Sequence, residues 1–387
     1  MSIAHFRLAA VALPAALLAA FASTAGAQSH DIHLPLEEGV YRVSLTLRGG
    51  DGGSDVNITG EARRALIQHA AVKEGDTLDL SFNVWRLGTT LDNGSELRLH
   101  PREIGTPTYD DLLSLTVFGK QPSIEKLSIE PAGEVINVFL AGDSTVTDQP
   151  GVPWSAWGAM LPSYFDDNVA VANLASSGRA LRSFRAEHRL DKMLDLARPG
   201  DYVFIQFAHN DQKETGEGIG PFESYADDLR DYVGKVRDVG ANPVLVTPPV
   251  RRRFDRQGKW FDTLGDYPAA MRRVAERENV PLIDLFDMSR QIVEALGPDD
   301  SRNLYVHYPA GTFEGQAEAW NDDTHFRTYG GDLLARAVIN GIKSAVPDLA
   351  EHLRNPEAGI DPRHPEPLED WDWPEAGRVS EDTPEGS

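Results

Sequence analysis

A parallel α/β sheet preceded by an all-β domain is the architecture this sequence predicts, on three observations. Beyond residue 134, short apolar runs alternate with longer amphipathic segments, the pattern of βαβ units. Before residue 131, side chains alternate with period two: Tyr41, Val43, Leu45 and Leu47 interleave with Arg42, Ser44, Thr46 and Arg48, and Leu78, Leu80, Phe82 and Val84 repeat the pattern. Glycine-rich and Asn-Gly turns, Gly49-Gly50-Asp51-Gly52-Gly53 and Asn93-Gly94, punctuate that first region as hairpin connections do.

In chain order, Arg7 precedes an apolar stretch over residues 8–21, and Ala25-Gly26-Ala27 follows it, so residues 1–27 are expected to be an export signal cut before Gln28. The stretch is short and Ala-rich for a membrane anchor, which needs about 20 apolar residues. A secreted or periplasmic protein is expected, with no membrane partner after cleavage. Residues 28–131 are expected to form a β-sandwich serving as a carbohydrate-binding or accessory domain. Residues 134–354 are expected to form the catalytic domain, with strands near residues 135–141, 169–174, 202–207, 243–247 and 282–286. These five predict a parallel sheet flanked by helices on both faces. Helices are predicted over residues 223–239, closed by Gly240, and over residues 329–344. Residues 355–387, rich in Pro, Glu and Asp, read as an extended or disordered acidic tail whose Trp371 and Trp373 can pack against the body.

Composition narrows the function classes. The chain has 387 residues and 41% hydrophobic content, enough for a well-packed core. No cysteine is present, which removes disulfides, thiolate nucleophiles and sulfur-rich metal sites. The formal charge of -23 argues against nucleic acid and anionic membranes as partners. The histidines are scattered without a His-x-x-x-His pair, and Asn321-Asp322-Asp323 lacks the spaced oxygen ligands and glycine of a calcium loop, so no cofactor or metal is expected. Oligomeric state is not readable.

The chemistry lies at the ends of the predicted strands. Gly142-Asp143-Ser144-Thr145 follows the first apolar run, where a tight turn holds a hydroxyl at the carboxyl edge of the sheet. A serine hydroxyl needs an imidazole to take its proton and a carboxylate to hold that imidazole in the right tautomer. Asp322 and His325, three residues apart, supply both if a loop or first helical turn folds the carboxylate back; Asp323 competes for the orienting role. Donors for an oxyanion are offered by Gly178, in Ser176-Ser177-Gly178-Arg179, and by Asn210, in Ala208-His209-Asn210-Asp211. Each piece also has a bland reading: Ser144 as a helix cap, Gly178 and Asn210 as turn residues, the Asp-His pair as surface charge.

Taken in order, the four blocks resemble the SGNH (GDSL) hydrolase superfamily. Within it, Gly142-Asp143-Ser144-Thr145-Val146-Thr147, Phe207-Ala208-His209-Asn210-Asp211 and Asp323-Thr324-His325-Phe326 resemble the rhamnogalacturonan acetylesterases. The likeness covers roughly residues 135–346, and the β-rich first domain resembles the sandwich that some bacterial members place ahead of the catalytic one. It implies a flavodoxin-like three-layer fold, Ser144 as nucleophile, Gly178 and Asn210 as oxyanion donors, Asp322 as orienting acid and His325 as base. One departure is Ala208, where the family usually has glycine.

The expected substrate is therefore an acetylated acidic polysaccharide, rhamnogalacturonan first and acetylated xylan second. A non-catalytic carbohydrate-binding protein is the rival from another class. An acidic enzyme on a polyuronide needs local cations. Arg179, Arg182, Arg185, His188 and Arg189 follow the Gly178 loop, and Arg251, Arg252, Arg253 and Arg256 follow the fourth strand, so both clusters are expected either to form a basic rim or to be solvated loop charge paired with nearby acids. Arg179, Arg251, Arg252 and His209 are the expected substrate contacts. Trp154, helically spaced with Trp157 and Leu161, is expected either as a sugar platform or as core.

Overall fold

Period-two patterning before residue 131 produces two facing antiparallel sheets in the computed structural model. The structure describes residues 29–374, 379–380 and 384–385, so the expected export signal at residues 1–27 lies outside the described residues. The strands are β1 (His30–Pro35), β2 (Gly39–Arg48), β3 (Ser54–Gly60), β4 (Arg64–Val72), β5 (Thr77–Arg86), β6 (Leu112–Lys120) and β7 (Ile124–Pro131). They form one sheet of order β1-β6-β3-β4 and another of order β5-β2-β7. Alternate side chains, among them Val43, Leu45 and Leu47 of β2 and Leu113, Leu115 and Val117 of β6, meet between the sheets as a buried core. The connection from β5 to β6 is long and carries one short 3-10 turn, Pro101–Glu103, with His100 at its N-cap.

The second region runs β8 (Ile136–Gly142), β9 (Trp154–Ser155), α1 (Trp157–Met160), β10 (Val169–Asn173), α2 (Leu181–Ala186), α3 (Arg189–Leu196), β11 (Tyr202–Gln206) and α4 (Ala226–Asp238). It continues through β12 (Asn242–Val246), α5 (Tyr267–Glu278), β13 (Leu282–Ile283), α6 (Leu285–Asp300), β14 (Tyr305–Tyr308), β15 (Trp320–Arg327), α7 (Thr328–Ala345) and α8 (Pro347–Ala350). Five of these strands make the expected parallel sheet, in the order β10-β8-β11-β12-β13. Successive residues point to opposite faces. Val138, Leu140, Phe204, Val244 and Val246 pack with α6 and α7, whereas Phe139, Ala141, Val203, Ile205 and Leu245 pack with α2 to α5.

Because β8 lies between β10 and β11, the chain winds outward from it in both directions. The carboxyl end of β8 is thus the topological switch point, where open α/β sheets leave a crevice.

Three details depart from the sequence-based expectation. The helix expected from residue 223 begins with a π-helical turn, Pro221–Tyr225, in which Glu223 is non-helical, and is regular only from Ala226. The fifth parallel strand is two residues long, because Asp284 caps α6 and ends it. A further small sheet, β14-β15-β9, was not anticipated, since Asn321-Asp322-Asp323-Thr324 has no strand-like hydrophobic pattern.

The two regions are joined through buried polar contacts. Arg64 of β4, 1% exposed, donates from Nε (3.0 Å) and Nη2 (2.8 Å) to Oδ2 of Asp148 and from Nη1 to the Val171 carbonyl. Asn173 donates to the other Asp148 oxygen at 2.8 Å. Trp85 of β5 donates to Asn137 at 3.0 Å while its ring packs on Phe139. Of the acidic tail, residues 355–374 are extended but closely packed. Arg336 of α7 pairs with Glu366 at 2.7 Å, Asn340 accepts from the Ile360 N–H, and Trp373 meets Phe118 of the sandwich edge-on.

Candidate active site

A turn held by its own side chains presents Ser144 just beyond β8. Gly142 is required there by space, since a Cβ would lie 2.4 Å from Cγ2 of Val146. The Asp143 carboxylate accepts from the Thr145 N–H (2.9 Å) and hydroxyl (2.8 Å), and its carbonyl accepts from the N–H groups of Val146 and Thr147. Gln149 closes the loop from behind, donating to the Ser144 carbonyl at 3.1 Å and the Ser177 hydroxyl at 3.3 Å. No sequence signal marked Gln149, because its role depends on two loops meeting.

His325 reaches this turn from β15. Its Nε2 lies 2.8 Å from Ser144 Oγ, and its Nδ1 lies 2.7 Å from Asp322 Oδ2. A carboxylate can only accept, so Nδ1 carries the proton, leaving Nε2 of the neutral ring to accept from the serine hydroxyl. Asp322 Oδ1 accepts from the N–H groups of Thr324 (2.7 Å) and His325 (2.9 Å). Burial opposes the charge on Asp322, but the His325 ring and these two N–H groups hold its carboxyl below the ordinary range. The fold-back occurs on strand β15, ahead of α7, rather than in a loop or helical turn.

Asp323 points elsewhere, to Arg252 and Arg253 at 2.8 Å each and to His307 at 2.9 Å, so it makes none of the contacts of an orienting acid. Gly178 sits at φ 81° in the turn after β10. Asn210 follows β11, its amide donating to the Arg179 carbonyl at 3.2 Å.

The expected basic rim requires correction. Arg182 and Arg185 pair with Asp228 and Asp231 at 2.9 to 3.1 Å. Arg189 is fully buried between Glu103 and Glu187. Arg251 turns inward and donates to the His209 carbonyl, and Arg252 is held by Asp323 and the Pro298 carbonyl. Arg182, Arg185, Arg189 and Arg252 are met by carboxylates of the folded body and Arg251 by the His209 carbonyl and the Thr263 hydroxyl, so they do not form the free cationic edge that spacing suggested. Arg179 differs: it pairs with Glu187 at 2.6 Å and with Glu385 at 3.5 Å.

His209 is completely buried, with Nδ1 3.5 Å from Asp143 and neither ring nitrogen hydrogen-bonded, so it supports the nucleophile turn from below rather than meeting solvent. Burial lowers its basicity, and the Asp143 carboxylate partly offsets that. Trp154 is 2% exposed; it packs edge-on against His325 with centroids 6.0 Å apart and at a tilt of 44° against Trp320 at 5.7 Å. It walls the imidazole and is not an open sugar platform.

The model of the GDSL-like lipase/acylhydrolase family matches residues 140–333. Rhamnogalacturonan acetylesterase RhgT of Bacillus subtilis is 39% identical over 220 residues, covering 56% of this chain and 94% of that protein. The probable rhamnogalacturonan acetylesterase YesY of the same organism is 33% identical over 220 residues, covering 56% of this chain and 97% of its own length. Among solved structures, the YxiM protein of Bacillus subtilis superposes with a TM-score of 0.48 at 25% identity, covering 82% of this chain and 80% of that one.

Proposed function

We propose, from the premise that this chain belongs to the GDSL-like lipase/acylhydrolase family and is a serine ester hydrolase, that it removes acetyl groups from rhamnogalacturonan. The observation that carries the reading is the continuous relay from Asp322 through His325 to Ser144, with links of 2.7 and 2.8 Å at the switch point of the sheet. Its carbohydrate acetylesterase character is supported by two relatives, each above 30% identity and named for that activity.

Ser144 Oγ attacks the acetyl carbon as its proton passes to His325 Nε2, and the imidazolium is stabilised by Asp322. The oxyanion is received by the N–H groups of Ser144 and Gly178 and the Asn210 amide, each worth about 3 kcal/mol in the transition state. Collapse expels the sugar oxygen, which takes the proton back from His325 and leaves acetyl-Ser144. Water, deprotonated by the same imidazole, then releases acetate. Export to the periplasm or medium, resting on residues 1–27, places the enzyme where such polymers occur.

The test is acetate release from acetylated rhamnogalacturonan and acetylated xylan in parallel, with Ser144→Ala as control. Release from the pectic polymer that disappears in the variant is expected. Release from xylan alone would move the substrate, and release from neither would favour a carbohydrate-binding protein.

A further inference from the structure

The tail returns to the site after Trp373. Val379 pairs in parallel with Val152, and the Ser380 N–H donates to the Val152 carbonyl at 2.9 Å, on the loop between Ser144 and β9. Pro384 lines a cavity of about 230 Å³ shared with Gln149, Trp154, Ser177 and Arg102. Beside it, Glu385 places one carboxylate oxygen 2.6 Å from Arg102 Nη2 and 3.1 Å from His100 Nε2, and the other 3.5 Å from Arg179 Nη1. That second oxygen lies 2.6 Å from where a Cβ on Gly178 would be, so the carboxylate rests directly on the loop that carries a proposed oxyanion donor.

The arrangement is unusual in this chain. The other arginines of the clusters after β10 and β12 that were resolved into pairs are met by carboxylates of the folded body. Here His100 and Arg102 come from the β5–β6 connection of the sandwich and Arg179 from the edge of the parallel sheet, and the carboxylate between them belongs to the tail. Arg179 is held in place by Glu187 and Arg102 by the His100 ring at 3.3 Å, so the cations are ordered by groups other than Glu385. Burial works against the Glu385 charge, yet Arg102, His100 and Arg179 hold its carboxyl below the ordinary range.

We propose that His100, Arg102 and Arg179 form a subsite for a uronate carboxylate of the substrate, and that Glu385 occupies it in the free protein as an intramolecular stand-in. The proposal rests on the acidic-polysaccharide reading above. A carboxylate in this position rests on the loop that carries Gly178, a proposed oxyanion donor to the ester at Ser144. The sandwich thereby contributes side chains to substrate selection, and the tail competes with the polymer for them.

Steady-state kinetics of the full chain test this on three substrates: an acetylated rhamnogalacturonan oligosaccharide, the same oligosaccharide with its carboxylates amidated, and 4-nitrophenyl acetate. The readout is the ratio of kcat/KM for the acidic over the amidated oligosaccharide. Arg102→Gln is expected to reduce that ratio about tenfold, through KM, with Arg102→Lys restoring part of it. Glu385→Gln is expected to lower KM for the acidic oligosaccharide about threefold or more at low ionic strength. A ratio unchanged in Arg102→Gln, or a KM that rises in Glu385→Gln, overturns the subsite. Failure of the unmodified enzyme to turn over any of the three esters would instead overturn the esterase reading. Melting temperatures within a few degrees of the parent confirm that folded proteins are being compared.

Discussion

Replacing Asp322 by Asn tests the relay at its least conspicuous member, and the geometry fixes what the amide must do. Asp322 Oδ1 accepts two backbone N–H groups, from Thr324 and His325, while Oδ2 accepts the ring Nδ1–H. An asparagine keeps its single oxygen toward the two backbone donors, because the opposite orientation would set its NH2 against both and leave them unsatisfied, at about 1–3 kcal/mol each. The NH2 then faces Nδ1, which must become the acceptor, and the ring proton moves to Nε2. There it points at Ser144 Oγ, 2.8 Å away, and the base can no longer take the hydroxyl proton. The imidazolium also loses its counter-charge. Loss of tautomer and charge together is expected to lower kcat about 10⁴-fold, or roughly 5.4 kcal/mol in the barrier. Because Asn retains the backbone contacts, KM should stay within about threefold and the melting temperature within a few degrees. The assay is acetate release at saturating and subsaturating ester between pH 6 and 9, with Asp323→Asn alongside. Retention of more than about a tenth of kcat in Asp322→Asn, or a larger loss in Asp323→Asn, would refute the assignment.

Two further outcomes follow from buried groups behind the site. Burial pushes the Asp211 carboxyl up to about 8, so it is protonated in the folded chain at neutral pH but ionises near 3.8 when unfolded. Its contribution is fully present below that lower value and lost as pH rises toward 8, at up to about 1.4 kcal/mol per pH unit. Asp211→Asn should therefore gain stability over the parent progressively between pH 5 and 8 in thermal unfolding, and a pH-independent difference would contradict the reasoning. Ala208 sits at φ 150°, in a region that costs a non-glycine residue about 1–3 kcal/mol. Ala208→Gly relieves that strain while losing a buried methyl and backbone order, together about 1.5 kcal/mol. Denaturant unfolding should show a net change between a loss of about 0.5 and a gain of about 1.5 kcal/mol, and a loss of the full 1.5 would mean the strain is absent.

What the sequence disclosed follows from how local its signals are. The five parallel strands, the Ser144 turn and the Asp322–His325 spacing each lie within a few residues, so apolar runs and offsets expose them. The choice of Asp322 over Asp323 was favoured by a spacing of three, and their contacts diverge accordingly. Which acids pair with which arginines was not legible. The arginines after Gly178 and after β12 read as a rim only until their partners are known, and Asp228, Asp231 and Asp323 arrive from helices and strands 46 to 71 residues away. Of the two roles expected for Trp154, burial is the one the structure shows, and it is decided by β15, which looks like a polar loop in sequence. Gln149, His100 and Arg102 carried no motif at all.

The ion pair between Arg64 and Asp148 bears on how such a protein can be taken apart. The nucleophile turn ends at a carboxylate that is 2% exposed and whose only cationic partner among the described ion pairs belongs to the sandwich. Removing the first domain would take away the cation that this carboxylate pairs with, and losing one partner of a buried pair costs about 3–5 kcal/mol where the other stays out of water. The first domain is thus not an interchangeable attachment of the kind joined by a flexible linker. Shuffling it onto another hydrolase, or trimming it to make a smaller catalyst, would require a new cation at the position of Arg64 or a neutral residue at 148 in the same step.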